Sequence, residues 1–222
     1  MLFDLRSRGR RRTVQSVYLM LAVLMGGGLV LFGVGAGNGF GGLLDAFKGN
    51  GGGNGAAKQT ISQAEKTAQR ASVLRPNDPS AWASLAQVRF DSAGQVGNFD
   101  PNTLTYTASG HAELTSATQA WKRYLQLTKA PDWQLADLVA TRVARAGDFA
   151  TAAAAWEIVA AANPTTPRVF ECLAAASYAA KEVRKGDLAS AKAISLAPKL
   201  QQTQLKSVLA QAKSSPSVTN QC

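Results

Sequence analysis

Few residues in this chain have the type and spacing for chemistry. His111 is the only histidine, and Cys172 and Cys222 are the only cysteines. A two-histidine metal site, a zinc finger and a disulfide-stapled miniprotein are therefore excluded. A nucleophile–histidine–acid triad would have to be built on His111, and nothing beside it supports one. Asp137 and Glu171 are the best carboxylate pair. Each sits on a helix-favouring stretch, with Arg145 and Arg168 nearby, so a structural ion pair is expected before acid–base catalysis. Cys172, next to Leu173, reads as a small buried hydrophobe. Cys222 ends the chain and reads as a frayed end or an intermolecular disulfide. No glycine-rich phosphate loop follows a strand. The chain is read as no enzyme, with no cofactor and no metal.

The elements that must position these residues differ sharply along the 222-residue chain. Residues 1–12 carry Arg6, Arg8, Arg10, Arg11 and Arg12 against Asp4 alone. Val17 to Val34 then runs without a charge, about 27 Å of helix, and counting from Thr13 it passes the thickness of a hydrocarbon core. The reading is a transmembrane helix over 13–35 with its N-terminus in the cytoplasm and the rest of the chain outside the cell membrane. A cleaved leader is the alternative, with Val34-Gly35-Ala36 as its processing site. From 36 to 56 glycine dominates, a flexible linker spanning about 25 Å as a coil. Leu43, Leu44 and Phe47 form an apolar knot within it, either a contact point or one frayed helical turn. The net charge is +10, but beyond residue 55 eighteen basic residues face twelve acidic ones without a like-charge run. No nucleic-acid partner is expected.

Residues 57–213 are alanine-rich and helix-favouring, and they keep a ruler. Ala64, Ala68, Ala71 and Pro76 have spacings that recur in Ala152, Trp156, Val159 and Pro164. Trp82, Leu85 and Ala86 follow Pro76 as Phe170, Leu173 and Ala174 follow Pro164. Ala117, Trp121 and Tyr124 repeat the first part, and Ala136, Val139 and Ala140 the second. Helices are predicted near Lys58–Leu74, Ser80–Ser92, Glu113–Thr128, Asp132–Arg145, Phe149–Ala162, Thr166–Lys185, Leu188–Leu196 and Leu200–Ala212. Turns are expected at Gly147-Asp148 and at Lys185-Gly186-Asp187. The stretch 95–112 is an insertion, either a lid or a surface loop, and 214–222 reads as a disordered tail.

This pattern resembles the tetratricopeptide repeat, a helix–turn–helix unit of 34 residues. The resemblance implies an all-α solenoid of about three repeats with a C-terminal capping helix. It is similar to single-pass tetratricopeptide proteins of bacterial envelopes, some of which serve envelope assembly or secretion. Carried over by spacing, the inner wall would present Ala83, Gln87, Phe90 and Asp91, then Gln134, Asp137, Thr141 and Arg145, then Arg168, Glu171, Ala175 and Tyr178. Members that clamp a C-terminal carboxylate place lysine, asparagine and arginine where Ala83, Asp137 and Glu171 stand, so that ligand is disfavoured. The partner-binding residues expected are Gln87, Phe90, Asp137, Thr141, Arg145, Arg168, Glu171 and Tyr178, holding a protein or extended peptide with apolar anchors and basic groups. The alternative is a regulatory arm of a membrane-associated enzyme, with 95–112 as lid.

Overall fold

The computed structural model describes residues 54–215 and Cys222. The basic segment 1–12, the span at 13–35, nearly all of the linker and most of the tail lie outside the described residues. Among the described residues no helix is long and apolar enough to cross a membrane.

The described residues form eight helices: α1 Asn54–Leu74, α2 Pro79–Ala93, α3 Ala108–Leu127, α4 Trp133–Arg145, α5 Phe149–Ala162, α6 Pro167–Ala179, α7 Val183–Leu196 and α8 Lys199–Ser214. Aspartate begins several of them. The Asp78 carboxylate accepts from Ser80 N at 2.9 Å, and Pro79 pre-sets the first turn of α2. The Ser80 hydroxyl bond, chiefly, holds Asp78 below the usual carboxylate range. Asp132 caps α4 and Asp148 caps α5 in the same way.

Consecutive helices pack as neighbours: α1 on α2, α2 on α3, α4 on α5, α5 on α6 and α6 on α7, with α8 against α6 and α7. Alanine permits the close crossings. Ala83, Ala86, Ala117, Ala136, Ala140, Ala152 and Ala174 are wholly buried. Trp121 and Trp156 fill the space beside them. Trp82 is only half-buried, its indole donating to Pro76 O, and Trp133 is exposed.

Two expectations fail. The last turn is not at Lys185-Gly186-Asp187, and the sixth helix does not run to Lys185. The turn comes at Ala180–Glu182, with Lys181 in the left-handed region at φ 66°. Lys181 N bonds Tyr178 O and Glu182 N bonds Ser177 O. Gly147 N to Ala144 O and Asp148 N to Val143 O are the same bonds one 34-residue repeat earlier. Gly186 therefore stands inside α7 at the place of Ala152, and Pro198 at that of Pro164.

The insertion is also more regular than a loop. Phe99–Asp100 (β1) pairs antiparallel with Thr105–Tyr106 (β2), and residues 108–112 already belong to α3. Asn98 Nδ2 donates to Ser92 O at 2.9 Å, while the Thr107 hydroxyl donates to Gly97 O at 2.9 Å. A Cβ at Gly110 would collide with the Asn98 carbonyl, which explains the glycine in the first turn of α3. The hairpin is thus fastened to the end of α2 and the start of α3.

Candidate functional site

The first helices of the three hairpins, α2, α4 and α6, carry the residues expected on the binding wall. α2 contributes least. Phe90 and Ala83 are wholly buried, so Phe90 is a core ring and not an accessible anchor. Gln87 and Asp91 are half-buried.

The middle helix α4 is the polar part of the wall. Gln134 is exposed, and Asp137 and Thr141 are half-buried one and two turns further on. Burial pushes the Asp137 carboxyl above its ordinary value, and among the described residues no charged or hydrogen-bonding neighbour offsets it. The ion pair expected between Asp137 and Arg145 does not form. The Arg145 guanidinium instead lies 5.6 Å from the centroid of the Phe99 ring, on the hairpin of the insertion. The Thr141 hydroxyl turns back on its own helix, at 3.1 Å from Asp137 O and 3.0 Å from Leu138 O.

Sequence reasoning missed Arg142. Its guanidinium covers Gly94 so closely that a Cβ there would lie 2.7 Å from it. A cation beside the C-terminus of α2 is favoured by the helix dipole. Its Nε is buried without an acceptor among the described residues. Only the i, i+3 spacing of Arg142 and Arg145 signals a paired cationic edge in the sequence.

On α6, Arg168 Nη1 and Glu171 Oε1 form an ion pair at 2.7 Å. Tyr178 is buried, so it too is no accessible anchor. Its ring packs on Gly186 of α7, and the Lys213 ammonium of α8 sits 5.2 Å from the ring centroid. Cys172, also on α6, is bonded to Cys222. Cys172 is buried as expected, and the reading of Cys222 is corrected, since its thiol is taken up within the chain.

The exposed apolar anchors expected beside mixed charges are thus absorbed at both ends of the wall. What remains is Gln134, Asp137 and Thr141 in the centre, with Gln87, Arg145, Arg168 and Glu171 around them. His111 is exposed in the first turn of α3, with Tyr106 edge-on to it at 6.0 Å between ring centroids. Among the described residues no group of three or more histidines, cysteines or carboxylates could hold a metal ion.

Two shallow grooves lie elsewhere, along α1. One of about 410 Å³ is lined by Ser62, Glu65, Lys66, Gln69, Arg70 and Arg89; one of about 390 Å³ by Gln69, Arg70, Val73 and Leu74. No protein-family model, curated protein or solved structure matches this chain.

Proposed function

We propose that the chain is a membrane-tethered, tetratricopeptide-like interaction scaffold. It holds an extended segment of a partner protein against the centre of the α4 wall, outside the cell membrane, in the service of envelope assembly or secretion. The observation that carries this reading is Asp137. A half-buried carboxylate with no partner among the described residues is costly unless another group meets it. Beside it Gln134 is open. A basic side chain of a bound segment supplies what Asp137 lacks.

Further support comes from the repeat and from the cysteines. The turn hydrogen bonds recur after 34 residues, the unit length of the family that the sequence resembles. The Cys172–Cys222 pair suits an oxidising compartment, in agreement with the orientation read from the arginine flank. The insertion favours a scaffold over an enzyme's regulatory arm, because its hairpin is fastened at both ends and offers no lid that swings.

The test is site-specific photo-crosslinking of the full chain in its native membrane. A photoreactive residue at position 134 should capture a partner, and one at Ala154 on the exposed face of α5 should not. Capture at 134 should fall with Asp137→Asn. Equal capture at both positions, or no effect of Asp137→Asn, rejects the α4 wall as the site.

A further inference from the structure

The open edge of the array is a second, separate surface. α5 is packed between α4 and α6, and α7 between α6 and α8, whereas the main packing of α1 among the described residues is on α2. The two grooves of α1 share Gln69 and Arg70, and their lining residues on α1 recur at steps of three and four from Ser62 to Leu74. They form one continuous helical stripe about 18 Å long, the footprint of another helix. Its composition is graded. Val73 and Leu74 are 68% and 81% exposed at one end. Lys66 and Arg70 lie a turn or two away, with no ion-pair partner among the described residues. The only carboxylate in the stripe, Glu65, is already bound to Arg89 Nε at 3.2 Å.

We infer that this stripe is the docking site of an acidic amphipathic helix from a partner protein. Apolar side chains of that helix cover Val73 and Leu74, and its carboxylates meet Lys66 and Arg70. Charge decides against a second copy, because a self-paired stripe would set these cations against each other. With 13–35 placed in the membrane, as the proposed function has it, length decides against the chain's own linker. Its longest glycine-free run between Gly35 and Asn54 is Leu43–Lys48, about 9 Å of helix and half of the stripe.

The test uses the full chain in detergent micelles and two labelled 20-residue alanine-based helical peptides. Both carry a leucine pair, and one has glutamates at four and seven residues from it where the other has lysines. Fluorescence anisotropy should show binding of the glutamate peptide alone, weakening as salt is raised. Lys66→Glu with Arg70→Glu should weaken it at least about tenfold, and the lysine peptide should then bind the doubly reversed chain. Both side chains are exposed, so an unchanged thermal midpoint is expected for that variant. Val73→Ser with Leu74→Ser should also reduce binding. Equal binding of the two peptides, or binding of neither, overturns the inference. So does a concentration-dependent dimer that the glutamate peptide fails to dissociate. Binding that appears only after Leu43, Leu44 and Phe47 are replaced by serine assigns the stripe to the chain's own linker, and overturns it as well.

Discussion

The Tyr178 hydroxyl donates a 2.7 Å hydrogen bond to Asp187 Oδ1, tying the end of α6 to the first turns of α7. Lys213 of α8 pairs with the same carboxylate oxygen. One acidic group therefore joins the last hairpin to its capping helix. Burial, aided by this bond, pushes the Tyr178 phenol up to about 12. The Lys213 and Tyr178 bonds hold Asp187 below its ordinary value.

Alkali should loosen this end of the protein. Above pH 10 an unfolded chain releases the Tyr178 proton while the folded chain keeps it, so folding is progressively penalised between about 10 and 12. Denaturant midpoints should drop across that window in the wild type and drop less in Tyr178→Phe. Ultraviolet titration of the phenols should show Tyr178 ionising late. An alkaline limb identical in the two proteins would contradict the burial of that hydroxyl.

Asp187 acts in the opposite direction. Its carboxylate is favoured in the fold, so this contribution is present above the unfolded value near 4 and fades as pH falls below it. Asp187→Asn should flatten the acid limb of the stability profile. An unaltered acid limb would mean that the α7–α8 link adds nothing.

Gly186→Ala should destabilise the protein, although alanine is the better helix former by about 1 kcal/mol. A Cβ there would sit 2.5 Å from the Tyr178 ring, an overpacking worth about 1–3 kcal/mol. One repeat earlier the same two places hold Ala144 and Ala152, both buried. The ring and the glycine are one exchange. In a Tyr178→Ala background, Gly186→Ala should be neutral or stabilising, and a double-mutant cycle in urea reads the coupling. Additive effects would dissolve the pairing.

Phe90→Ala should cost about 3–5 kcal/mol, as a large buried ring removed from a core. Any lost partner capture in that variant would then accompany a lower melting temperature. A midpoint unchanged from the wild type would return Phe90 to the surface.

The helices were largely legible because small and large residues alternate at helical spacing and aspartates mark the starts. The last turn was misread for a local reason. Gly186-Asp187 imitates Gly147-Asp148, while the residue that makes the turn, Lys181, carries no glycine signal. The long-range spacing from Pro164 to Pro198 held the correct answer, and the nearby dipeptide outweighed it. Phe90 and Tyr178 were misplaced for another reason. The family's inner-wall spacing says which way a side chain points, but not what covers it. Here α7 and α8 meet Tyr178, and a hairpin of two-residue strands, too short for any period-2 signal, occupies Arg145. The stripe on α1 repeats at helical spacing, yet only its want of a second packed helix among the described residues sets it apart from a core seam.

The Cys172–Cys222 bond has a consequence for length under load. It encloses α7, α8 and the end of the chain, a sequence separation of 50 residues, in a covalent ring. A pull between Asn54 and Cys222 passes straight from one sulfur to the other and never tensions what the ring contains. In optical tweezers the oxidised protein should therefore come out about 170 Å shorter at full extension than the reduced one. Its unravelling should start at α1, which packs chiefly on α2 among the described residues, and should stop at α6.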